Sequence, residues 1–239
     1  MPANPNDLRR RYQALETPEL LDLHRGGGLT EEARAILEEI LDTRGLGWQQ
    51  RDDWWLQLDF ESFLRHAATL NLPDEYGDLV DPLFVPTGQP VDDAEIQAAE
   101  DRIGTPLPKG YKLFLKVMGP GCWCRANDVA ALDDVFAFDE PEWELNGFIS
   151  IVQNVEGVGD HLAFNPADPQ VEGDRAMYYC AHDPRGYARV ADSYEIWARE
   201  CAAALRQGQD FYLQFDDAVY AKWKEYDARQ PKKWWQFWR

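Results

Sequence analysis

The sequence predicts an α+β fold: a mainly antiparallel sheet flanked by helices, preceded by an N-terminal helical hairpin. Three observations carry this. Helical spacing dominates the first half, at Ala33, Ile36, Leu37, Ile40 and Leu41 and again at Ile96, Ala99 and Ile103. Short apolar or aromatic runs, parted by Gly, Asp and Pro, follow between 148 and 190. A last helical pattern, DSYEIWARECAAAL, closes this part of the chain. Helices, then strands, then a helix is the α+β order.

Each element has its own warrant. Residues 1–47 read as a hairpin module. Leu8, Tyr12, Leu15, Leu20, Leu21 and Leu23 are interrupted by Thr17-Pro18, so Thr17 can cap a helix entered at Pro18. Gly26, Gly27 and Gly28 force a turn. Thr30 caps the next helix, Glu31 and Glu32 suit its positive end, and Gly45 ends it. Residues 48–90 are a linker or part of the core. Trp54, Trp55, Leu58, Phe63, Leu64 and Ala67 suggest an aromatic helix, followed by a stretch broken by Pro73, Gly77, Pro82, Pro86, Gly88 and Pro90.

An α+β domain is predicted over 91–230. Asp92 and Glu95 form a capping box for a helix that Gly104 terminates. Tyr111, Phe114, Leu115 and Met118 stripe a second helix, with Lys109, Lys112 and Lys116 largely opposite. Strands are expected at 148–152, 161–164, 176–181 and 187–190. Phe211, Leu213, Phe215, Val219, Tyr220, Trp223 and Tyr226 suggest a further helix, ended by Pro231. The tail at 231–239, with four aromatics among Lys232, Lys233 and Arg239, could pack back, clasp a partner or touch an anionic membrane surface. Stable membrane association is the least favoured of the three.

Composition narrows the function. The 239 residues carry 24 Lys plus Arg against 43 Asp plus Glu, a net charge of −19. Nucleic-acid binding is thereby disfavoured, because phosphate contacts need a basic surface. A basic protein is the better partner. The N-terminus lacks an apolar signal region, no run of 18 apolar residues occurs, and four cysteines make no disulfide framework, so a cytoplasmic location is expected.

Chemistry-bearing motifs are scarce. The three serines, Ser62, Ser150 and Ser193, lie in no G-x-S-x-G, and neither a phosphate-binding loop nor H-E-x-x-H occurs. Cys122, Cys124, Cys180 and His182 are four conceivable zinc ligands, but neither pair has C-x2-C spacing; free thiols are the favoured reading. No catalytic residue, metal or cofactor is expected.

One charged stretch stands out. Asp128, Asp133, Asp134, Asp139, Glu140, Glu142 and Glu144 occur with no Lys or Arg between them, interleaved with Phe136, Phe138 and Trp143. A solvated loop explains it as well as an acidic, aromatic-anchored surface does. The second reading makes Asp128, Asp133, Asp134, Phe136, Asp139, Glu140, Glu142, Trp143 and Glu144 the partner-binding residues.

The segment around the two central helices resembles a known family. An acid-capped helix ending in Ile-Gly, then Leu-Pro-x-x-Tyr-x-x-Phe-Leu and a glycine turn, resembles the SUKH superfamily. The matching residues are Glu100, Ile103, Gly104, Leu107, Pro108, Tyr111, Phe114, Leu115 and Gly119. Gly159 to Phe164 is similar to the superfamily's Gly-Asp-x-Leu-Ala strand, and Ser193-Tyr194 to the entry of its closing helix. Met118-Gly119-Pro120 departs from the usual Asn-Gly. The resemblance covers about 91–206. It implies an antiparallel α+β domain and, from the bacterial toxin-immunity members, a non-enzymatic protein that occludes a cognate secreted toxin. A nuclease's basic substrate groove is one such target. The fungal Smi/Knr regulators imply a regulatory scaffold as the alternative. GGLTEEARAILEEILDTRG also resembles a short helical module attached to varied bacterial proteins, with no chemistry implied.

Overall fold

A computed structural model describes residues 5–25, 29–46, 54–73, 79–139 and 144–229. The chain divides into two compact units, residues 1–57 and 58–239.

The first unit holds three helices where the sequence predicts a hairpin: α1 (Pro5–Gln13), α2 (Thr17–Arg25) and α3 (Glu31–Thr43). The extra helix has a packing reason. Tyr12 buries beside Leu20, Leu21, Ile36, Leu37, Ile40 and Leu41, with Leu8 and Leu15 against the same cluster. Thr30 caps α3 as predicted, accepting from the Ala33 N–H at 3.2 Å. Thr17 does not cap α2. The Glu16 N–H donates to the Glu19 carboxylate at 2.8 Å, and the Thr17 hydroxyl accepts from Arg44 at 3.1 Å. Arg44 also donates to the Leu15 carbonyl at 2.8 Å, tying the end of α3 to the α1–α2 link. A single 3-10 turn, Trp54–Gln57, closes the described part of this unit.

The second unit begins with α4 (Phe60–Ala67). The expected aromatic helix is split here because Asp59 accepts from the Ser62 N–H at 3.0 Å and starts a new helix. A two-stranded ribbon, β1 (Asn71–Pro73) with β2 (Leu79–Pro82), follows. Then come β3 (Phe84–Pro86), α5 (Asp93–Ile103), α6 (Lys109–Val117), β4 (Gly121–Trp123), β5 (Asn127–Val129) and β6 (Phe136–Ala137). The chain continues through β7 (Ile149–Val155), β8 (Asp160–Phe164), β9 (Met177–His182), β10 (Arg185–Ala191), α7 (Tyr194–Arg206) and α8 (Asp216–Arg229).

The large sheet is antiparallel throughout, in the order β10-β9-β8-β7-β5-β4-β3, with β6 continuing the β5 side of β7. Strands β7 to β10 form the predicted meander. Strands β3 to β6 were not predicted; each has only two or three residues, too few to show an alternation.

The nine superfamily positions build the helix layer. The capping box of α5 is formed: Asp92 accepts from the Glu95 N–H, and Glu95 accepts from the Asp92 N–H at 2.8 Å. Glu100 reaches past the α5 terminus and accepts from the Leu107 N–H and from Lys112, both at 2.9 Å, which fixes the α5–α6 corner. Gly104 ends α5 with φ +73. Gly119 has φ +76 and donates to Leu115 at 3.0 Å, so the departure at Met118-Gly119-Pro120 keeps the left-handed stop. Tyr111, Phe114 and Leu115 are fully buried, and the Tyr111 hydroxyl donates to the Ala130 carbonyl at 2.7 Å. Edge and tilted ring contacts run from Phe63 through Trp123, Phe114 and Tyr194 to Trp197, with centroids 5.0 to 6.1 Å apart.

Candidate interaction surface

The acidic stretch is built onto one edge of β7. Asp128 lies in β5 opposite Gln153, and Phe136 lies in β6 opposite Ser150. Between them a 3-10 turn, Leu132–Asp134, buries Leu132 and exposes Asp133 and Asp134. Arg102 of α5 anchors this turn from beneath, donating to the carbonyls of Leu132 and Val135. Gln153 donates to the Asp134 carbonyl at 2.8 Å. These bonds take main-chain oxygens, so the carboxylates stay outside. Among the described residues neither Asp133 nor Asp134 has an ion-pair partner. Asp128 accepts from Asn154 at 3.2 Å.

Phe136 is 39 % exposed, which is unusual for a phenyl ring. Its ring meets Phe138 edge-on at 5.5 Å and His161 at 5.6 Å. His161 is itself held by Ser150, whose Oγ lies 3.0 Å from Nδ1, and burial lowers the imidazole pKa. A neutral, packed imidazole thus supports an exposed phenyl ring. Asp139 is exposed just beyond.

Structure therefore gathers Asp128, Asp133, Asp134 and Phe136 along one rim. Glu144 belongs elsewhere. It accepts from the Tyr187 hydroxyl at 2.9 Å, pairs with Arg229 at 2.5 Å and lies 3.9 Å from Lys222. The Tyr187 and Arg229 bonds hold its carboxyl below the usual carboxylate range. Glu140, Glu142 and Trp143 lie outside the described residues, as does the tail at 231–239.

The conceivable zinc ligands do not converge. Cys122 is in β4 and Cys124 follows it, whereas Cys180 and His182 are in β9. Strands β5, β7 and β8 lie between, so the two groups stand about 19 Å apart at ordinary strand spacing. All four cysteines are free, and burial pushes the thiols of Cys122, Cys124 and Cys180 up, away from the thiolate form. Among the described residues no group of three or more His, Cys, Asp or Glu side chains could hold a metal ion. No described helix is long and apolar enough to cross a membrane.

Sequence reasoning missed a cavity of the second unit, about 460 Å3 between α6, α7 and residues 168–178. Its lining comes from five separate elements, α4, α6, β9, β10 and α7, and from the loop before β9, with Val171-Glu172-Gly173-Asp174 at its mouth. That segment carries no motif in the sequence.

Comparison with known proteins gives one family match. Residues 90–200 match the model of the SMI1 / KNR4 family (SUKH-1). No curated protein and no solved structure matches the chain. The matched span starts before α5 and ends within α7, and contains all nine motif residues and strands β4 to β10 but not β3. Residues 90–200 thus carry a SUKH domain, a domain generally linked to toxin immunity.

Proposed function

We propose that this protein is an immunity protein that binds a cognate secreted toxin and neutralises it by occluding the toxin's active site. Its SUKH domain is the observation that carries this reading. The rim supplies a mechanism. Asp128, Asp133, Asp134 and Asp139 place uncompensated negative charge around an exposed aromatic ring. Such a field steers a basic partner toward the surface, and a ring like Phe136 supplies a desolvated anchor once it arrives. A nuclease groove, basic because it binds phosphates, fits this chemistry. Action in the cytoplasm, without a cofactor or catalysis by this chain, belongs to the same proposal.

Stopped-flow association with the toxin tests the rim. The double variant Asp133→Lys, Asp134→Lys slows association roughly tenfold at low salt, and the difference shrinks at high salt. Unchanged rates at both salts place the interface elsewhere. The existence of a separate N-terminal unit favours a second reading, a regulatory scaffold with two binding modules. Stable binding to several unrelated proteins, without protection from a toxin, distinguishes it.

A further inference from the structure

The 460 Å3 cleft has features that the core does not require. Its floor is Gly110, the second residue of α6. A Cβ there would lie 2.9 Å from both Asp174 Oδ2 and the Glu195 nitrogen, so the site admits no side chain. Asp174 is a structural staple: it accepts from the Gly110 N–H at 3.1 Å and from the Arg175 N–H at 3.0 Å, and also bonds the Tyr194 backbone. It thus serves the first turns of α6 and α7 together, and α6, entered through Pro108, has no local side-chain cap.

The mouth is different. Val171 is 68 % exposed and Ile196 is 39 % exposed, both lining the cleft with Leu113. Val171 and Asp174 exchange both main-chain hydrogen bonds at 2.9 Å, enclosing a two-residue turn. The first turn residue, Glu172, has φ +54, and Gly173 has φ +88. A glutamate in the left-handed region is strained where glycine would not be. Among the described residues its carboxylate has no hydrogen-bond or ion-pair partner. The other carboxylates at the cleft are engaged: Asp192 with Arg189 at 2.7 Å, Glu195 with Arg199 at 2.6 Å, and Asp168 with the Tyr178 hydroxyl at 2.7 Å. Five carboxylates face two cations, Lys109 and Arg189, across the lining.

We infer that this cleft is a second docking site of the SUKH domain, for a segment of the partner protein that presents a branched aliphatic side chain beside a Lys or Arg. The aliphatic group sits among Leu113, Val171 and Ile196, and the cation meets Glu172. An excess of carboxylate selects a cationic segment, and exposed aliphatics select its neighbour. The site stands on β9, β10 and the helix N-termini, away from the β5–β6–β7 rim. It rests on the reading that the chain binds a protein, but its test does not need the toxin.

The test is an amide NMR titration of the full chain with the capped dipeptide acetyl-Ile-Arg-amide, against acetyl-Ile-Glu-amide. Saturable shifts at the Gly110, Gly173 and Ile196 amides with the first only are the expected result. Glu172→Gly removes the carboxylate and relieves the left-handed strain. It weakens the Arg dipeptide roughly tenfold while the melting temperature does not fall. Equal response to both dipeptides, shifts lying away from the cleft, or unchanged affinity of the Glu172→Gly protein overturns the proposal. A toxin bound equally by wild type and Glu172→Gly overturns the cleft but not the immunity reading. Saturable cleft binding by a chain that protects against no toxin does the reverse.

Discussion

Glu156 shows how one residue can bias the stability of this very acidic chain. It stands on the β7–β8 hairpin with φ +55, beside Asp210, and Asp160 and Asp216 also act on it. Partial burial, then the shared bond with Asp210, pushes its pKa up to about 8. In the unfolded chain the same carboxyl ionises near 4.5. As pH rises between these values the unfolded state releases its proton first. Glu156 therefore supports the fold fully below about 4.5, and that support is lost as pH rises through about 8. This is opposite in sign to a salt-bridged carboxylate. Glu156→Gln keeps a hydrogen-bond donor toward Asp210 and removes the titration. It gains about 1 kcal/mol at pH 8, discounted because the side chain is largely solvated, and nothing at pH 4. Urea denaturation of both proteins at the two pH values checks this, and an equal gain at both would refute the account.

Among the elements, α8 has the most particular fit. Val219 is its one fully packed residue among those described, and it lies directly on Gly186 of β10. A Cβ at Gly186 would come 2.3 Å from the Val219 carbonyl oxygen. Tyr226 adds contact with the Phe138–Phe148 cluster, while Glu144 pairs with Arg229 and Lys222. Exposed pairs of this kind contribute less than about 1 kcal/mol each, so packing at Gly186 decides whether the helix docks. Gly186→Ala is expected to destabilise by about 1–3 kcal/mol. Hydrogen exchange should rise over 216–229 while β7 and β8 stay protected. Uniform loss of protection would mean that α8 belongs to the core. Legibility varied in the same way from element to element. Caps announce themselves locally, so Asp92 and Thr30 are legible in the sequence and occur as read. Asp174 caps α6 from 64 residues away, and no local pattern could show that. Strands β3 to β6 escaped because their pairing, not their composition, makes them strands.

For the molecule as a whole, charge and family point the same way. A net charge of −19 over the whole chain is legible in the sequence, whereas the surface at which a partner would dock is not. The acidic run around Asp133 was visible because it is contiguous in sequence. The cleft was not, because Gly110, Val171, Glu172 and Ile196 meet only in the fold. Arg102 illustrates the same limit: it reads as an ordinary surface cation on α5, yet it organises the carbonyls beneath the acidic rim. The measurement that tests the central claim most directly is capture of the tagged full chain from its native source, at low and high salt, with mass spectrometry and stoichiometry. The account predicts one dominant, stoichiometric partner with a basic toxin domain, captured less at high salt, which arrests growth when expressed alone and not when co-expressed with this chain. Several unrelated partners, or a stoichiometric partner whose toxicity this chain does not relieve, would contradict it.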